Sequence, residues 1–287
     1  MIEFWSAVGE YQFLQYALLT GILASIACGV VGSYVVTRRI SYVAGAISHF
    51  ILGGMGATKY FNVVHGWNWL EPLHGAVIAA ILAALIISQV SVRAKQREDT
   101  VIGALWAMGM AVGILFISQT PGYNEDLMSY LFGDILLVTA NDLWLIATLD
   151  IFVIAMAFIF YNQLQAICFD EEFARLRGVN VELFYLLLLI LTAMTVVLLV
   201  TVVGIILVIA LITLPAAIAG QFTNSLGRMM VLATILSLFF TTLGLSFSYG
   251  PNLPAGAVII VVAGIIYLLT IWILRLSSMF VSRRAEY

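Results

Sequence analysis

The sequence predicts an all-α, polytopic membrane protein of eight or nine transmembrane helices, and three observations lead there. The 287 residues are 63% hydrophobic and only 9% charged, with a mean hydropathy of +1.11, whereas a water-soluble domain carries about 25% charged residues. Several apolar runs reach the roughly 20 residues that a helix needs to cross the hydrocarbon core. Eleven of the twelve Lys and Arg residues, all but Lys59, fall in short gaps between those runs.

The runs lie at 13–36, 40–61, 72–92, 101–118, 143–161, 181–203, 204–219, 229–247 and 254–274. The stretch 183–220 is too long for one crossing. Gly204 is the expected turn, and Pro215 is expected to break or kink the second half. Arg38 and Arg39 follow the first run, Arg93, Lys95 and Arg97 the third, Arg175 and Arg177 the fifth, Arg228 the seventh, and Arg275, Arg283 and Arg284 the ninth. With nine spans these clusters share one side, which the positive-inside bias makes the cytoplasm. The N-terminus is then outside and the C-terminus inside. With eight spans the later clusters fall opposite the earlier ones.

The spans consume nearly the whole chain, so 1–287 reads as a single membrane domain without room for a soluble catalytic or ATP-binding domain. HExxH, GxSxG and phosphate-loop motifs are absent, so neither proteolysis nor ATP hydrolysis by this chain is expected. Glu3 and Glu10 precede the first run with no basic residue before it, which does not fit a cleaved signal peptide. Cys28 and Cys168 read as packing residues rather than a disulfide framework.

Two gaps are long enough to hold structure. Residues 119–142, expected outside, carry Glu125, Asp126 and Asp134. Within them the apolar stretch 127–138 is too short to span and reads as an interfacial or re-entrant helix. Residues 162–180, expected inside, place Asp170, Glu171 and Glu172 before Arg175 and Arg177, with Gly178 as a stop. Acid first and base last matches a short helix complementing its own dipole. It reads either as a docking element or as a solvated linker.

Ionisable groups inside spans are costly and are functional candidates by default. His49 sits mid-span, roughly 14 Å along the helix from residue 40. At helical spacing Gly45, Ser48, His49, Gly53 and Gly56 share one small, polar-tolerant face. That face fits close helix packing, and it equally fits a narrow pathway of imidazole and hydroxyl suited to a divalent cation such as zinc. Asp150 lies midway through another span. It reads as a second ligand, a proton-relay group or a buried hydrogen-bonding acid; the structural role is favoured because no second polar group repeats at its spacing. The outer loop HGWNWLEPLHG offers His65, Glu71 and His74 for metal capture at the surface, while Trp67 and Trp69 equally mark an interfacial anchor.

Taken in order, the segments ALLTGILASIACGVVGSYVVTRRIS (17–41), SHFILGG (48–54), REDTVIGALWAMGMAVGILFIS (97–118), YLFGDILLVT (130–139), FDEEFARLRGV (169–179) and VVGIILVIALITLPAAIA (202–219) resemble the permease subunit of the bacterial ABC importers for zinc, manganese and iron. The resemblance implies a bacterial inner-membrane permease paired with a second, identical permease subunit. It implies two cytoplasmic ATPase subunits, an extracytoplasmic metal-binding protein, and no nucleic-acid partner. No cofactor is held permanently; the metal ion is cargo. Phe169, Asp170, Glu171, Glu172, Arg175 and Gly178 then belong to the ATPase-coupling segment, and His49 to the metal pathway.

The sequence departs from the family pattern at Gly45, where the family usually has an Asp one turn before the His, and at Leu52-Gly53-Gly54, where it usually has Leu-Pro-Gly. Imidazole without a carboxylate tilts the expected ion toward zinc over manganese. The rival expectation is a stand-alone ion-coupled carrier using Asp150 for protons. Its usual paired repeats are not seen. An intramembrane enzyme built on His49 and Asp150 lacks a nucleophile or metal cage.

Overall fold

The computed structural model describes residues 2–91, 98–121, 133, 135–251 and 253–284. The chain is helical, and twelve α-helices are labelled here in order along it: α1 (Ile2–Glu10), α2 (Gln12–Thr37), α3 (Ser41–His65), α4 (Pro72–Gln89), α5 (Glu98–Ser118), α6 (Ala140–Ile159), α7 (Tyr161–Phe169), α8 (Glu171–Leu176), α9 (Val181–Val203), α10 (Ile205–Phe222), α11 (Leu226–Tyr249) and α12 (Ala255–Arg284). Nine of them, among the described residues, have 18 or more residues. Eight of those nine are long and apolar enough to cross a membrane. The ninth, α3, is diluted by His49, Lys59 and its glycines, yet its 25 residues make about 37 Å of helix. It is enclosed by α4, α5, α9 and α10, so protein rather than lipid covers its less apolar face.

Tight joints fix the path. Beyond α2 the chain reverses through Arg38–Ile40, with Arg39 left-handed at φ 64. Ile40 N–H bonds Val35 O and Arg39 N–H bonds Val36 O, each at 3.0 Å, the two bonds of a Schellman stop. At Gly204 φ is 84 and ψ 160, a backbone conformation that only glycine adopts readily, and α9 ends there as the sequence predicted. Gly133 approaches the Val203–Gly204 joint so closely that a Cβ would lie 2.3 Å from the Val203 carbonyl carbon. Because α9 begins beside the end of α4 and α10 ends beside Arg39 and Phe169, the chain reverses at Gly204 and makes two legs. Pro215 lies inside α10 without ending it, so of the expected break or kink the break does not occur.

One end of the bundle therefore gathers the α2–α3 turn, the α7–α8 segment and the α10–α11 turn around a cavity of about 500 Å³. Arg38, Arg39, Arg175, Arg177 and Arg228 sit at that basic end. Exposed Trp5, Trp67, Trp69 and Trp144 mark the opposite end, as an interfacial aromatic belt does. There α1, too short to span and unforeseen from sequence, packs Phe4 edge-on against Tyr249 at 5.8 Å. Most of the expected 127–138 helix lies outside the described residues. Within it, Ile135–Leu137 form a single 3-10 turn.

Candidate metal-pathway site

The site is built where α3 meets α5. His49 and Trp106 each lie eight residues in from the basic end of their helices, about 12 Å deep. Gly53 and Gly56 face Gly109 and Gly113 of α5, where an added Cβ would stand 3.0 Å and 2.8 Å from the opposing carbonyl oxygens. Such close approach is what small residues permit between membrane helices. It sets α5 directly against the turn of α3 that carries the imidazole.

His49 is 7% exposed. Its Nδ1 lies 2.8 Å from the carbonyl of Gly45. A carbonyl only accepts, so Nδ1 carries the proton and, in the neutral ring, Nε2 keeps a free lone pair. The ring stacks on Trp106, centroids 4.4 Å apart and planes at 26°. The six-membered ring of the same indole lies over Gly45, where a Cβ would meet Cζ3 at 2.6 Å and Cη2 at 2.8 Å. Ser48, fully buried, donates to the carbonyl of Ala44 at 2.7 Å within its own helix.

Asp150 is elsewhere. It lies on α6, which packs on α2 and α9, and is 2% exposed. Neither carboxyl oxygen has a hydrogen-bond partner among the described residues. In the loop at the opposite end, Glu71 and His74 form a reciprocal cap on α4, with Glu71 N–H donating to His74 Nδ1 at 3.2 Å. His65 stacks on Phe61 at 5.6 Å. No cluster of three or more His, Cys, Asp or Glu suited to a metal occurs among the described residues. Any ion at His49 within one chain therefore has a single imidazole.

The segment expected to couple to ATPase subunits resolves into two helices with Asp170 between them. The Asp170 carboxylate accepts from Phe173 N–H at 2.9 Å and so caps α8. Gly178, at φ 78, closes that helix, and Val179 N–H reaches back to Ala174 O at 3.0 Å. Glu171 pairs with Arg38 of the α2–α3 turn, and the Arg38 guanidinium lies 5.5 Å from the Tyr185 ring centroid. Glu172 and Arg175 are exposed. Phe169, Phe173 and Leu176 are exposed as well, three large apolar side chains at the basic end, with the Arg177 guanidinium 5.1 Å from the Phe173 ring centroid. Cys168 sits beneath, its Sγ 3.8 Å from Tyr34 O. Burial pushes its thiol up to about 12 against an opposing pull from Arg38, so it is protonated at neutral pH and a poor metal ligand.

Sequence reasoning missed two participants. Trp106 carried a signal, as a tryptophan well inside an apolar run rather than at its edge. Arg38 carried none, because its partner lies 133 residues away.

Comparison with known proteins agrees with this architecture. The "Probable metal transport system membrane protein" of Chlamydia trachomatis is 39% identical over 259 residues, 90% of this chain and 88% of that one. The manganese transport system membrane protein MntC of Listeria monocytogenes is 36% identical over 284 residues, 99% and 98% of the two chains. A chain of the structure described as PsaBC from Streptococcus pneumoniae in complex with Fab superposes with a TM-score of 0.82 at 32% identity, covering 94% of this chain and 95% of that one. The ABC 3 transport family model matches residues 10–274. With that match running from the first transmembrane helix into the last, the chain belongs to the ABC 3 transport family.

Proposed function

We propose that this chain is the membrane permease of an ATP-driven importer of a divalent transition-metal ion, with His49 as a transit ligand. The observation that carries the reading is the buried imidazole whose Nδ1–H is held by the Gly45 carbonyl, which leaves Nε2 available to an ion. Ser48 borders it. The Chlamydia and Listeria relatives, named for metal and manganese transport, support the substrate class. Imidazole without a carboxylate favours zinc over manganese. A second copy of the chain completes the pathway. The exposed small residues Gly103, Ala104, Ala107 and Ala111 of α5 leave room for it beside Trp106. The basic end faces the cytoplasm of a bacterial inner membrane, with the N-terminus outside.

Cytoplasmic ATPase subunits dock on Phe169, Phe173 and Leu176, since an exposed apolar patch marks a partner surface. Movement of α8 then passes through the Glu171–Arg38 pair to the α2–α3 turn and along α3 to His49. An extracytoplasmic binding protein delivers the ion at the opposite end. The test is proteoliposomes carrying this chain with its ATPase and binding protein, offered zinc, manganese and iron. ATP-dependent accumulation of one or more of these ions is expected. Accumulation driven by a proton gradient without ATP would instead indicate a stand-alone carrier.

A further inference from the structure

We infer that Trp106 is a specificity-determining residue of the His49 site, keeping that site free of carboxylate and holding the imidazole in place. The inference rests on the reading of His49 as a transit ligand. A single indole covers two successive turns of α3. Its six-membered ring fills the volume above Gly45, with Cζ3, Cη2 and Cε3 at 2.6, 2.8 and 3.4 Å from where a Cβ would stand. Its π-face stacks on the imidazole at 4.4 Å. The helix that carries Trp106 is packed tight on α3: three residues on, a Cβ at Gly109 would already lie 2.4 Å from Phe50 Cα and 2.7 Å from His49 O.

Position 45 precedes His49 by one turn, which is where a side chain shares a ligand's face. A carboxylate there would add a hard oxygen and a negative charge, and such ligands suit manganese better than imidazole alone does. With the indole where it stands, a side chain at position 45 clashes with it. The indole offers no lone pair to a metal, but its face stabilises a ring made cationic by a bound ion. Gly45 and Trp106 are therefore a matched pair: glycine admits the indole, and the indole leaves one imidazole for a borderline-soft ion.

The test measures zinc and manganese binding, in competition with a chelator, by the purified permease–ATPase complex carrying Trp106→Ala, Trp106→Phe, Gly45→Asp, Gly45→Asp with Trp106→Ala, and His49→Ala. Trp106→Ala should weaken zinc binding several-fold, and Trp106→Phe should recover most of it. The double variant should move the zinc-to-manganese preference toward manganese at least tenfold relative to Trp106→Ala. Gly45→Asp alone should lower the melting temperature and lack that shift. A double variant with the preference of Trp106→Ala, or a full shift in Gly45→Asp alone, would overturn the role of Trp106. Zinc binding by His49→Ala at the parent level would instead overturn the His49 reading, whatever Trp106 does.

Discussion

A histidine and an aspartate lie deep in this bundle, His49 on α3 and Asp150 on α6, and their surroundings treat them oppositely. His49 donates a hydrogen bond to a backbone carbonyl, stacks on an indole and stands on a helix whose glycines draw α5 against it. Asp150 is buried to 2%, and neither oxygen has a partner among the described residues. A buried polar group without a partner loses its hydration for nothing in return. Burial is therefore common to both residues, and what sets His49 apart is that its neighbours hold the ring in one orientation with Nε2 left free.

The strongest way to break the contrast is to push α5 off α3. Gly109→Leu drives a side chain into Phe50 Cα and the His49 carbonyl. Overpacking of this kind costs about 1–3 kcal/mol, and we expect loss of assembled protein in detergent together with uptake. At the basic end, α3 follows directly on the turn that Arg38 ties to Glu171. The pair is partly exposed, so its worth to stability is at most about 1 kcal/mol. Arg38→Ala should cut ATP-dependent uptake about fivefold at nearly unchanged melting temperature, the effect of about 1 kcal/mol of coupling. Exchanging the two charges should restore most of the rate; a swap as inactive as the single change would remove the link from the account.

On the Asp150 side the expected effects are smaller. Asp150→Asn keeps the shape of a side chain whose oxygens have no hydrogen-bond partner among the described residues, so uptake should stay within about twofold and the melting temperature should hold or rise. A large loss of uptake would make Asp150 part of the pathway. Smallest is the loop at the opposite end. Glu71→Ala removes the α4 cap, with an expected cost of about 1 kcal/mol seen as a melting shift of a few degrees. Metal uptake should be unaffected; its collapse would return His65, Glu71 and His74 to the role of metal capture.

Much of the fold was legible because local chemistry decides it. Apolar runs and basic gaps mark the spans and the basic end. The conformational freedom of glycine marks the joints at Gly204 and Gly178, and the acid-first, base-last order of 170–177 marks a short helix there, though not that Asp170 caps it. The α3 face was legible as a pattern, but not what covers it, because Trp106 lies 57 residues from His49 and helical periodicity says nothing about which helix is the neighbour. Arg38–Glu171 was hidden for the same reason. His74 shows another limit. Its residue type suits a metal and a cap equally, and only the backbone at Glu71 reveals the cap. The helix α1 was passed over because nine residues are too few to span.

The most direct test of the central claim is ATP-dependent uptake by proteoliposomes carrying the complex with His49→Ala. The account predicts at least a tenfold fall in metal uptake, with the permease still assembled on its ATPase and melting near the parent temperature. Uptake at the parent rate would contradict it and move the pathway away from α3.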